Sequence, residues 1–188
     1  MKTPILETKR LILRPISLDD APAVQKHFGH WEIIRYISNA QWPYPDDAAE
    51  TYIRDIVLPS VHKQESCVWG ITLKDEKQEI IGMIDYRITA GEGNDNRGFW
   101  LAIPYHREGL MTEAVCAVNN FVFESLGVDR FHARNVKGNI GSRRIKEKTG
   151  GVVLGEIEEQ LKNGNTEVME LWEITKDNWL EAKKRLSL

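Results

Sequence analysis

A chain of 188 residues, 41% hydrophobic and 28% charged, has the size and make-up of one globular domain with a full core. Its formal net charge of −3 offers no overall basic field for nucleic acid, and no apolar run is long enough to span a bilayer. The two cysteines, Cys67 and Cys116, lie inside apolar segments without metal-ligand spacing and read as small core residues. Met1-Lys2-Thr3-Pro4 lacks the apolar core of a secretory signal, so a cytoplasmic location is expected.

Residues 8–15 (Thr8-Lys9-Arg10-Leu11-Ile12-Leu13-Arg14-Pro15) read as a first strand ended by proline. Ser17-Leu18-Asp19-Asp20 is a capping-box variant. It opens a helix with Ala21, Val24 and Phe28 on one side and a stop near Gly29. Residues 30–45 concentrate aromatics and prolines, including Trp31, Tyr36, Trp42 and Tyr44. Two X-Pro steps keep this segment extended, as a packed surface loop or the wall of a cleft. Asp46-Asp47 start a second helix, with Ala49, Ile53, Ile56 and Val57 on its apolar face, and Pro59 is expected to interrupt it. Residues 66–73 and 79–88 form a hairpin across the polar turn Lys74 to Gln78, and Gly91 to Asn96 make the next turn.

The stretch from Arg97 to Ala114 joins an apolar strand closed by Pro104, a short turn holding Gly109, and a long helix. That helix has Leu110, Ala114, Val118 and Val122 on one stripe. Strand, tight turn and helix in succession aim free N–H groups and the positive helix end at one spot, which suits phosphate; an ordinary strand-to-helix connection has the same pattern. Gly127 is a natural helix stop, residues 128–136 read as a strand, and Arg143 to Thr149 form a short basic helix ended by Gly150-Gly151. Val152 to Ile157 and Thr166 to Ile174 are strands joined across an Asn-Gly turn, and Lys176 to Leu186 close the chain as an amphipathic helix. One mixed α/β domain over 1–188 results, with about seven strands and about four main helices.

Two segments carry a resemblance: Tyr105-His106-Arg107-Glu108-Gly109-Leu110-Met111-Thr112-Glu113-Ala114 and Asn139-Ile140-Gly141-Ser142 through Gly150. With Glu7 to Pro15 and the Trp42-Pro43-Tyr44-Pro45 loop, they resemble the GNAT acetyltransferase superfamily. Within it they are similar to the Rim-type branch, which includes the ribosomal-protein N-terminal acetyltransferases. The resemblance implies a mostly antiparallel sheet, splayed so that acetyl-CoA enters between strands near 97–103 and 128–136. It implies that the backbone of Leu101, Ala102 and Ile103 pairs with the pantetheine arm. It further implies that the turn Arg107, Glu108, Gly109, Leu110, Met111 and Thr112 holds the pyrophosphate through main-chain N–H groups, with Gly109 allowing close approach. Asn139 would contact the arm and Ser142 would protonate the departing thiolate; read without the family, both are good helix-capping residues. The cluster Arg143, Arg144, Lys146 and Lys148 would serve the 3′-phosphate of CoA or form a solvated basic face.

The chain departs from the family pattern at several places. His106 stands where Gln or Arg is common, Arg107 where glycine is frequent, and Gly151 where Phe usually follows Gly150. Many Rim-type sequences carry Glu two residues before the Gly of the central strand, whereas this chain has Asn96, which cannot act as a base. Asp85 and Asp95 are the nearest replacements, with a water relay as a third route. Asp85 interrupts an apolar run, so it is either a buried carboxylate of raised pKa or a solvent-facing strand residue.

The implied function is acetyl transfer from acetyl-CoA to a primary amine. A protein N-terminus, ribosomal or other, leads, with a polyamine or antibiotic as the alternative. A non-catalytic acyl-CoA-binding module is the competing class, motivated by Asn96 and the altered turn. No metal, membrane or nucleic-acid partner is expected, and the choice between monomer and homodimer is left open.

Overall fold

Antiparallel pairing builds most of the molecule. The computed structural model describes residues 2–74, 79–90 and 96–186. Strands β1 (Leu6–Glu7), β2 (Leu11–Pro15), β3 (Ser66–Leu73), β4 (Gly82–Arg87) and β5 (Phe99–Leu101) form a five-stranded sheet in chain order, each neighbouring pair antiparallel. Strands β6 (Arg130–Val136), β7 (Gly151–Gln160) and β8 (Thr166–Thr175) form a second sheet of order β6-β8-β7. The count exceeds the expected seven because Leu6–Glu7 pairs separately with Ile12 and Leu13.

The helices are α1 (Ala21–Phe28), α2 (Trp31–Ile34), α3 (Ala48–Tyr52), α4 (Leu58–His62), α5 (Leu110–Asn120), α6 (Ile140–Lys148) and α7 (Lys176–Arg185). Pro59 does not end the second helix. A π-type turn over Ile53–Val57 connects α3 to α4, and Pro59 sits in the first turn of α4, where its missing N–H is not needed. A second π-type turn, Phe121–Ser125, extends α5 and buries the consecutive Phe121, Val122 and Phe123. The basic helix begins at Ile140, three residues before the expected Arg143, because Asn139 caps it.

Alternation along the strands divides the core in two. Leu11, Leu13, Trp69, Ile71, Ile84 and Tyr86 face α5 and α7, packing on Leu110, Ala114, Val118 and Trp179. Val68 and Met83 face the opposite way, onto Val24 and Phe28 of α1 and Ala49, Ile53 and Val57 of the α3–α4 helix. Asp85, two residues after Met83, belongs to this second face. Full burial of each such Leu, Ile or Val side chain stabilises by roughly 1.5–3 kcal/mol, so the sheet is a stiff platform for what it carries. Cys67 and Cys116 are free thiols buried in the first core.

Asn96 joins the two sheets. Its N–H donates to His132 O at 2.8 Å. Its Oδ1 accepts from His132 N–H at 3.0 Å, while its Nδ2 donates to the carbonyls of Arg87 and Ala90 at 3.0 and 3.3 Å. Past this point the sheets part, and among the described residues no backbone hydrogen bond links Phe99–Leu101 to β6. The residue that the sequence presents as a missing base is therefore a buried staple at the closed end of the gap. Gly151, in the place of the familiar Phe, lets the ring of Trp172 and the backbone of α6 close together.

Candidate active site

The polarity of β5 follows from its pairing. Gly98 O accepts from Asp85 N–H at 2.9 Å, and Ala102 N–H donates to Ile81 O at 2.8 Å. In an antiparallel ladder the residues between, Phe99 and Leu101, turn their main-chain groups the other way, into the gap. Leu101 O is engaged by His106 Nε2–H at 2.7 Å, and Ala102 O accepts from Tyr105 N–H at 3.0 Å. Of the three residues expected to pair with a pantetheine arm, Ala102 thus has both main-chain groups engaged within the protein. Leu101 and Ile103 keep their amides.

Beyond a 3-10 turn at Ile103–Tyr105 the chain curls tightly: Arg107 has φ 66° and Gly109 has φ 79°. A Cβ on Gly109 would meet only Arg10 Nη2, at 3.6 Å, so glycine is required here by the left-handed torsion rather than by crowding within the protein. The carbonyls of this turn are tied back. Arg10 Nη1 donates to Glu108 O at 2.9 Å, and Glu113 N–H donates to Gly109 O at 3.0 Å. The amides of Arg107, Glu108, Gly109, Leu110, Met111 and Thr112 have no acceptor among the described residues. Six successive amides, at the positive end of α5, form a cradle for an anion.

The cradle is anchored to β2 through Glu113. Its carboxylate accepts from Thr8 Oγ1–H at 2.6 Å, Arg10 N–H at 2.8 Å and Arg10 Nε at 2.7 Å. Burial opposes its ionisation, but the hydrogen bonds from Thr8 and Arg10 outweigh burial and hold the carboxyl below its ordinary value.

On the far flank of the gap, Asn139 Oδ1 accepts from Ser142 N–H at 3.1 Å as the cap of α6. Ser142 is buried, and its Oγ accepts from Lys146 Nζ at 2.7 Å. Lys146 is 1% exposed, and its ammonium lies 5.4 Å from the centre of the Phe99 ring on β5. With Lys146 donating to its oxygen, the Ser142 hydroxyl keeps its own proton to give. The basic cluster is accordingly not one face: Lys146 points inward, and Arg143 is held by Glu147 and the buried Glu170. Arg144 and Lys148 are the members left exposed.

Asp85 sits on the other side of β5. It accepts from Gly98 N–H at 2.6 Å and from Arg87 Nη2 at 3.1 Å. A Cβ on Gly98 would lie 2.8 Å from Arg87 Nη2 and 3.2 Å from Asp85 Oδ1, so glycine is what lets this pair approach the strand. Asp85 lines a cavity of about 450 Å³ walled by Phe28, Tyr44, Tyr52, Met83 and Trp100. The Tyr52 phenol is pushed up to about 12, first by burial and then by the Asp85 carboxylate beside it. Of the 30–45 segment, Ile37, Asn39 to Gln41, Tyr44 and Pro45 line this chamber with the second helix, while its start, Trp31–Ile34, is helical rather than extended and Trp31, Tyr36 and Trp42 lie outside the lining. Asp95 and the rest of the turn 91–95 lie outside the described residues.

The sequence groups Lys146 with a basic cluster for the 3′-phosphate or a solvated face, whereas the structure uses its i+4 spacing to set it against Ser142. Phe28, Tyr52 and Trp100 reach the chamber from three separated segments, and no local signal links them.

A divided sheet whose gap opens at a strand–turn–helix amide cradle defines a class, the coenzyme A-dependent acyltransferases. The chain belongs to the GNAT acetyltransferase family: the acetyltransferase (GNAT) domain matches residues 10–152. It is 32% identical over 148 residues to the uncharacterized N-acetyltransferase YoaA of Bacillus subtilis (strain 168), covering 78% of this chain and 82% of that protein. The ribosomal-protein-S5-alanine acetyltransferase of Vibrio fischeri has the same fold, with a TM-score of 0.76 at 18% identity over 94% of this chain and 98% of that one. So has the microcin C7 self-immunity acetyltransferase MccE, solved in complex with acetyl-CoA and AMP, with a TM-score of 0.73 at 16% identity over 89% and 93%. At such identities the structural likeness speaks for the fold alone. Among the described residues no helix is long and apolar enough to cross a membrane, and no group of three or more His, Cys, Asp or Glu is placed to hold a metal ion.

Proposed function

We propose that this acetyltransferase binds acetyl-CoA with its pyrophosphate on the amides of residues 107–112 and its pantetheine arm along the Leu101 and Ile103 amides. The acetyl tip then lies between Ser142 and Asp85. Asn139, its Oδ1 engaged as a cap, keeps its Nδ2 for the arm. The single observation that carries this reading is the row of six amides without protein acceptors that follows β5 at the start of α5.

The chemistry then divides across the strand. The incoming ammonium meets Asp85, which takes a proton as the nitrogen lone pair attacks the thioester carbonyl carbon. The C–S bond breaks as the tetrahedral oxyanion collapses: the thiolate takes the Ser142 proton, the acylated nitrogen returns its second proton to the Ser142 oxygen that Lys146 supports, and Asp85 releases its proton to solvent. The products are the N-acetylated amine and CoA thiol. Holding both reactants in one cleft lowers the barrier by up to roughly 7–11 kcal/mol, and a positioned acid or base adds about 10²–10⁴-fold. Proximity dominates, which is why Asn96 in place of a carboxylate is compatible with turnover.

A protein N-terminal amine is the first acceptor class, as the resemblance to the Rim-type branch implies; a free small amine is the second, supported by the aromatic-lined chamber beside Asp85. Calorimetry with acetyl-CoA and thiol release with peptide and amine acceptors test the reading. Binding in the micromolar range with turnover is expected, and a coenzyme titration without heat ends it.

A further inference from the structure

Resting on the acetyl-transfer reading, we infer that the acceptor is a primary amine bearing a single positive charge and an aromatic or branched aliphatic group within a few bonds of the nitrogen. The chamber beside Asp85 is built for that chemistry and not for a polycation. Phe28 stands at its corner, edge-on to Tyr44 at 5.2 Å and 66° and to Trp100 at 5.3 Å and 62°. Tyr52, Met83 and Ile37 extend the same apolar wall. At about 450 Å³ the space lies toward the lower end of small-molecule pockets, enough for a ring and a short chain.

The charges in the lining balance: Asp47 and Asp85 are opposed by Arg87 and Lys162. Arg87 Nη2 already lies 3.1 Å from Asp85. The Tyr44 and Tyr52 phenols are neutral near pH 7 at their ordinary value of about 10, and burial pushes both further up, to about 12. One ammonium finds a carboxylate at Asp85 and aromatic faces around it. Of the further cations of a polyamine or aminoglycoside, one meets Asp47 and the rest meet rings, Arg87 or Lys162. Desolvating them there without a carboxylate is unfavourable. The apolar body next to the amine, by contrast, gains from leaving water.

The test uses the full chain with acetyl-CoA and measures kcat/KM for 2-phenylethylamine, ethylamine, spermidine and kanamycin. Peptides beginning with Phe, Leu or Gly form a second arm. 2-Phenylethylamine is expected to exceed ethylamine by more than about tenfold, since pocket contacts of a few carbons discriminate about 10–200-fold. Spermidine and kanamycin are expected below both. Preference for Phe- and Leu-initiated peptides over the free amines identifies an N-terminal residue as the source of the apolar group; the reverse identifies a small molecule. Tyr44→Ala should reduce the phenyl preference severalfold while the acetyl-CoA Kd, which reports a folded coenzyme side, stays unchanged. The same ranking is measured by calorimetry on the CoA-loaded protein, where turnover plays no part. Equal binding of ethylamine and 2-phenylethylamine, or tighter binding of spermidine, overturns the inference. Binding in the expected order without thiol release overturns the catalytic reading alone.

Discussion

The two sides of β5 are made of different material. On the proposed coenzyme side the groups offered are main-chain amides, fixed by two left-handed residues and by carbonyls tied back through Arg10 and Glu113. On the amine side they are side chains from α1, the 37–45 loop, α3 and strands β4 and β5. Backbone recognition tolerates side-chain change as long as torsions hold, so His106 and Arg107 can stand in unusual places. Side-chain recognition follows composition, and the proposed amine selectivity therefore rests on that side.

The sharpest way to break this division is Asp85→Asn. It should lower kcat/KM by about 10²–10⁴-fold with the acetyl-CoA Kd unchanged, and undiminished rates would move the proton to water. Ser142→Ala should cost about 10²-fold in kcat, close to the lower end for a positioned acid. Lys146→Met should lower kcat while leaving the acetyl-CoA KM in place; a raised KM instead would make Lys146 a binding group. Asn96→Ala should destabilise the fold by about 1–3 kcal/mol, since it leaves the buried His132 amide unsatisfied. Asn96→Glu should not restore activity to Asp85→Asn, because a carboxylate cannot donate to the Arg87 and Ala90 carbonyls; restored turnover would return the base to position 96.

Gly109→Ala forces a Cβ into a left-handed residue and should cost somewhat more than about 1 kcal/mol. Its signature is a weaker acetyl-CoA Kd with the ranking of amines preserved. The smallest expected effect is with pH. The Glu113 carboxyl is held below its unfolded value of about 4.3, so its contribution is full above that value and is lost as pH falls through the folded one. Asp20 behaves alike: burial opposes its ionisation, and Arg14 and Ser17 outweigh burial. Thermal unfolding below about pH 4 should therefore show a shallower acid loss in Glu113→Gln than in the parent chain. An unchanged slope would remove Glu113 as the anchor of the cradle.

The coenzyme side was legible in the linear chain because its elements are contiguous. Pro104 ends a strand, Gly109 permits the left-handed turn, and the stripe from Leu110 to Val122 is a helix face, all within some twenty residues whose periodicity is local. Pro59 shows where local rules fell short: a π-type turn placed it inside a helix that sequence ended there. Asn96 shows a different limit, for nothing around it tells that its amide meets His132 on another sheet.

By itself the sequence determined the family architecture and marked the turn we propose for phosphate, since both depend on torsions and periodicities written into short stretches. Tertiary structure alone decided that Asp85 faces a chamber, that Lys146 stands behind Ser142, and that Phe28, Tyr44 and Trp100 form one corner. The physical reason is distance along the chain. These groups meet through strand register and helix packing, and a one-residue slip would have turned Asp85 or Trp100 to the opposite face of the sheet and swung Lys146 or Phe28 about a quarter-turn round its helix.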